Sequence, residues 1–76
     1  MKKYRILKRV MLGFTTPQDQ YDVIIGPEDG TILESDGHTI WTIKDGKRHE
    51  SITMANAIDI WLGREAIVEI SSKKEG

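Results

Sequence analysis

At 76 residues with a formal net charge of −1, the chain is one small domain, near the lower size limit for a self-sufficient core. It has no cysteine, which excludes disulfides, thiolate metal sites and a cysteine nucleophile. No apolar run approaches the roughly 20 residues a membrane helix needs, and Lys8 and Arg9 interrupt what would be the apolar core of a signal peptide, so a soluble, cytoplasmic protein is expected.

The charges are unevenly placed. Residues 1–12 carry Lys2, Lys3, Arg5, Lys8 and Arg9 with no acid, and residues 19–36 carry Asp19, Asp22, Glu28, Asp29, Glu34 and Asp36 with no base. Either the two segments screen one another, or the first is a basic patch for an anionic partner. The near-zero net charge favours screening, because a dedicated nucleic-acid domain is usually basic overall.

In chain order, "YRILKRVML" (residues 4–12) reads as a strand with Tyr4, Ile6, Val10 and Leu12 on one face and Lys8 out of pattern. A helix is the competing reading, since Leu, Lys, Arg and Met are good helix formers. "GFTTPQDQ" is a loop: Gly13 breaks the pattern, and Pro17 keeps Thr16 out of the helical region. "YDVIIG" is a second strand with Tyr21, Val23 and Ile25 on one face, and "GPEDG" is a turn.

Two Asp-Gly pairs follow, Asp36-Gly37 and Asp45-Gly46, each between β-branched alternating segments, a strong hairpin signal. Two-residue loops at both sites predict that Leu33 opposes Ile40, Lys44 opposes Lys47, Thr42 opposes His49 and Trp41 opposes Glu50. Residues 31–52 then form a three-stranded meander. One face carries Ile32, Trp41, Ile43 and Ile52; the other carries Leu33, Ile40, Thr42, His49 and Ser51.

"TMANAIDIWLG" is the single predicted helix, with Thr53 as N-cap, an apolar stripe of Met54, Ala57, Ile58, Trp61 and Leu62, and Gly63 in the left-handed terminating position. "EAIVEI" is a last strand with Ala66, Val68 and Ile70 on one face, and residues 71–76 read as a flexible tail after a single domain over 1–70. The expected fold is α+β: an antiparallel β-meander of five or six strands with one helix packed on one face before the last strand. The Ile32, Trp41, Ile43 and Ile52 face is the expected bed for the helix. The alternative is an SH3-like small barrel, which shares the order of elements.

Catalysis needs a nucleophile or base within reach of an orienting group. His38 and His49 are separated along the meander, and Glu50 points away from His49, so neither a shared metal nor a catalytic pair is expected. The turn acids lack calcium-loop spacing and the glycines are scattered through turns. No catalytic, cofactor or metal residue is therefore assigned.

Two binding readings remain. If the helix covers one face of the meander, Leu33 and Ile40 are surplus on the other and Ile60 falls off the helix stripe. Together these three are candidates for a protein interface, with a partner or with a second copy of the chain. The expected function is a non-enzymatic protein-interaction or regulatory module that occludes a protein partner. The alternative is a nucleic-acid-binding module using Lys3, Arg5, Arg9, Lys47 and Arg48, with Trp41 or Tyr4 stacking on bases. Trp41 and Trp61 are otherwise expected in the core, and an enzyme ranks third.

Overall fold

The structure, a computed structural model, describes residues 1–70; the expected tail lies outside the described residues. The elements are β1 (Lys2–Ile6), β2 (Val10–Thr15), β3 (Gln20–Ile25), a 3-10 turn (Pro27–Asp29), β4 (Ile32–Ser35), β5 (Ile40–Lys44), β6 (Lys47–Ser51), α1 (Ala57–Gly63) and β7 (Ile67–Glu69). Five strands form an antiparallel sheet in the order β6-β5-β4-β1-β7, and β2 and β3 form a separate hairpin. The fold is thus a small α+β domain. The last strand returns to pair with the first, and the helix precedes it.

The predicted N-terminal strand is two strands joined by a corner. Tyr4, Ile6, Val10 and Leu12 are all buried as the alternation requires, but the chain turns at Leu7–Arg9, where the Leu7 and Lys8 amides both donate to the Ala66 carbonyl at 2.7 and 3.0 Å. Lys8, the residue out of pattern, lies in that corner and is exposed. The loop after it is shorter than its sequence implies. Gly13 and Phe14 continue β2, with Phe14 buried, and only residues 16–19 form the connection.

The second meander turn has the predicted register: Lys44 pairs with Lys47, Thr42 with His49 and Trp41 with Glu50. Asp45 (φ 53°) and Gly46 (φ 76°) both take the left-handed conformation that a two-residue hairpin loop requires. The first turn differs. Ser35 pairs with Ile40 and Leu33 with Thr42, so the loop spans four residues. The Asp36 carboxylate accepts bonds from the His38 and Thr39 amides at 2.8 and 2.9 Å, stabilising a wider turn than a bare Asp-Gly would make.

A two-residue register shift leaves the faces unchanged, because side chains alternate with period two. Which face is the core is the reverse of the expectation. Leu33 and Ile40 are 0 % exposed and sit in the centre of the core, beside buried Ser35, Thr42 and Ser51. Ile32, Trp41 and Ile43 lie on the outer face and are half-buried. The last strand is inverted in part: Ile67 is buried while Val68 and Ile70 are exposed, although Ala66, assigned to the same face as those two, is buried.

The core joins three layers: Tyr4, Ile6, Leu33, Ile40 and Ile67 from the sheet, Val10, Leu12, Phe14 and Ile25 from the hairpin, and Ile58 from α1, with Trp61 packed at its margin. Gly13 binds the hairpin to the sheet. Its carbonyl accepts from the Ile52 amide (2.9 Å) and the Ser51 hydroxyl (2.8 Å), and its amide donates to the Thr53 hydroxyl (2.7 Å). Thr53 therefore serves the hairpin; the N-cap position of α1 falls on Asn56, without a side-chain cap bond. The helix is shorter than predicted, and Met54 and Leu62 are exposed. Its C-terminus is closed by Glu65 to Leu62 and Ala66 to Trp61 backbone bonds (3.1 and 2.8 Å), with Glu65 rather than Gly63 in the left-handed conformation (φ 57°).

Candidate protein-binding groove

The hairpin β2–β3 and the hairpin β5–β6 stand on either side of a groove of about 490 Å³. Its floor and one wall come from β2 and β3: Phe14, Tyr21, Val23 and Ile25, with Ile24 at the edge. Phe14 and Tyr21 are directly opposed in the ladder, and their rings stack at 5.9 Å with 28° between planes. Phe14 is buried and forms the base, whereas Tyr21 is 48 % exposed and forms the lip. Offset aromatic pairs of this kind present a flat apolar surface at low conformational cost.

The facing wall comes from the groove side of β5 and β6: Thr42, Lys44, Lys47 and His49. Lys44 and Lys47 face each other directly across the tight turn. Like charges at opposed positions on one face repel, and Asp45 in the turn and Asp29 across the groove are the carboxylates on its rim. Asp29 is already engaged, accepting from the Gly26 amide at 2.8 Å. The groove thus combines an apolar base and an aromatic lip with an opposed lysine pair, whose charge Asp29 and Asp45 on the same rim balance.

The outer face of the sheet holds most of the residues expected to contact nucleic acid. Lys3, Arg5, Trp41 and Arg48 share it, by strand parity and register. Lys47 does not, since it lines the groove on the other side, and Arg9 lies in the corner after β1. The Arg48 guanidinium covers the Trp41 ring at 4.1 Å and pairs with Glu34 at 3.0 Å. Glu34 and Glu50 flank Trp41 on the two neighbouring strands. Tyr4, the other stacking candidate, is 5 % exposed and belongs to the core. Burial first, then the Glu69 and Asp59 carboxylates, push its hydroxyl pKa up, so it stays protonated.

Of the three interface candidates, Leu33 and Ile40 have no surface to offer, being enclosed by the hairpin and helix; Ile60 is half exposed on α1. His38 lies in the first turn and His49 on β6, and both are exposed. Among the described residues no group of three or more His, Cys, Asp or Glu could hold a metal ion, and no helix is long and apolar enough to cross a membrane.

Sequence reasoning missed Phe14, Tyr21, Val23 and Lys44 as site residues. One signal was present: the predicted register already opposed Lys44 and Lys47. The other was not, because placing Tyr21 opposite Phe14 requires knowing that Gly13 continues a strand.

The chain matches no family model, and no curated protein or solved structure proves similar to it.

Proposed function

We propose that the chain is a small non-enzymatic, cytoplasmic protein-binding module. Its groove takes an extended segment of a protein partner, an apolar side chain seated on Phe14 and Tyr21 and an acidic residue between Lys44 and Lys47. The observation that carries this reading is the opposed lysine pair beside an exposed aromatic lip. Like charges held face to face are relieved by an anion, and the adjoining apolar base makes a peptide carboxylate a better fit than a free ion. Occupying the groove would cover the bound segment, consistent with a regulatory role that works by occlusion. A cysteine-free composition favours a reducing compartment.

The nucleic-acid reading has the weaker support. Base stacking needs an open aromatic face, and that of Trp41 is covered by Arg48 and flanked by two glutamates.

Selection of a random displayed peptide library against the protein tests the proposal. Peptides enriched for an aromatic or aliphatic residue next to Asp or Glu, and lost on Tyr21→Ala or on Lys44→Glu with Lys47→Glu, are expected. Selected peptides indifferent to both variants would contradict it.

A further inference from the structure

We propose that the outer edge of β3 is a self-pairing edge, through which two copies of the chain join their hairpins into a four-stranded antiparallel sheet. The inference does not depend on the groove reading, since it uses the backbone of β3 and not the groove lysines.

The backbone directions of the hairpin follow from Gly13. Its amide and carbonyl are turned to the β6 side, bonded to Thr53, Ile52 and Ser51. Gly13 opposes Asp22, so this is a pair that exchanges no bonds with its partner. At the other end of the ladder Thr16 and Asp19 do exchange backbone bonds, which fixes the same alternation. It follows that Gln20, Asp22 and Ile24 turn their N–H and C=O groups away from β2. The Gln20 amide is taken by the Asp19 carboxylate at 2.8 Å. The Asp22 and Ile24 amides have no partner among the described residues.

Both edges of the five-stranded sheet are protected, and β2 is turned toward the end of β6, where Gly13 bonds Ser51, Ile52 and Thr53. β6 reads Lys47, Arg48, His49, Glu50, a run of charges of the kind that discourages added strands, and β7 is only three residues long. β3 is six residues long and carries one charge, Asp22, no lysine, arginine or proline, and Ile24 at 64 % exposure. An edge of that length and composition is a template for another strand.

The sequence of β3 also selects its occupant. Centred on Val23, β3 is self-complementary about a two-fold axis: Asp22 opposes Ile24 of the second copy, and Ile24 opposes Asp22. The two outward-turned residues of each chain then exchange four backbone bonds, as a bonded antiparallel pair requires. No like charges are opposed. Pairing Asp22 with its own copy would oppose two carboxylates, which is unfavourable. In the Val23-centred register Tyr21 also lies beside Ile25 of the second copy, extending each groove wall. A C2 arrangement of this kind uses one patch twice.

Sedimentation equilibrium across a range up to about 0.5 mM, with amide exchange at Asp22 and Ile24, tests the inference. The weight-average mass is expected to rise from 8.6 kDa toward twice that value, with exchange at both amides slowing as dimer forms. Ile24 opposes an aspartate, so the register makes a signed prediction. Ile24→Glu should weaken association at least tenfold, whereas Ile24→Lys should leave it equal or tighter. Ile24→Pro, which removes an outward amide unused within the chain, should abolish it, with near-unchanged circular dichroism showing that the fold survives. A mass that stays at 8.6 kDa throughout, or association weakened equally by Glu and Lys at position 24, would overturn the proposal.

Discussion

The Arg48 guanidinium carbon lies 4.1 Å from the centre of the Trp41 ring, and the same side chain reaches the Glu34 carboxylate at 3.0 Å. Three neighbouring strands thus meet in one surface cluster. The contact is partly exposed, so its stabilisation is modest, about 1 kcal/mol for the cation on the ring and less for the screened ion pair. Its consequence for binding is greater, because it covers the aromatic face that a base would use. Arg48→Ala in a Trp61→Phe background should leave the fold intact and markedly raise acrylamide quenching of Trp41 fluorescence.

The Gly13 cluster predicts a larger effect. Thr53→Val keeps the shape of the side chain and removes the acceptor for the Gly13 amide. Leaving that donor unpaired should cost about 1–3 kcal/mol, read as a lower denaturant midpoint. A Cβ at position 13 would stand 3.2 Å from Ile52 Cγ1 and 3.4 Å from Asp22 Oδ1, so Gly13→Ala is also expected to destabilise.

Glu65 closes the helix from the left-handed region at φ 57°. A side chain there costs roughly 1–2 kcal/mol relative to glycine. Glu65→Gly is therefore expected to raise the thermal midpoint, and Gly46→Val, where φ is 76°, to lower stability by about 1 kcal/mol or more.

Asp36 gives the pH dependence. Its carboxylate accepts the Thr39 amide bond and then that of His38, and these hold its pKa below the ordinary aspartate value. A group whose pKa is lower folded than unfolded contributes stability that is fully present above the unfolded value. That contribution is lost as pH falls through the folded one. Wild-type stability should thus fall in acid below the ordinary aspartate range, and Asp36→Asn should lack that component. Titration of the Asp36 carboxyl by NMR checks the direction.

The fold was legible where local chemistry decides it, and the core was not. Asp45-Gly46 set its hairpin because both residues accept positive φ. Asp36-Gly37 did not, because the carboxylate of the first residue draws in two further amides. Choosing the buried face by counting apolar side chains fails here for a physical reason. The inner face carries Ser35, Thr42 and Ser51, small groups that let β2 approach closely enough for Ser51 to bond the Gly13 carbonyl. The larger residues Ile32, Trp41 and Ile43 were left outside. The site shared this fate, since a groove between two hairpins cannot be seen until the hairpins are placed.

Leu33→Ala tests that inversion, and Ile60→Ala tests the exposure of α1. Leu33→Ala should cost about 2–5 kcal/mol, as expected for a fully buried side chain. Ile60→Ala, on the exposed side of α1, should stay within about 0.5 kcal/mol of the parent.

Chemical-shift mapping tests the central claim most directly. The 15N-labelled protein is titrated with a display-selected peptide and, separately, with a mixed-sequence single-stranded 12-mer DNA at low salt. Peptide-induced shifts should gather at Tyr21, Val23, Thr42, Lys44, Lys47 and His49, with the DNA producing none at Lys3, Arg5 or Trp41. Saturable DNA shifts on that outer face, with the groove residues unmoved by peptide, would contradict the account.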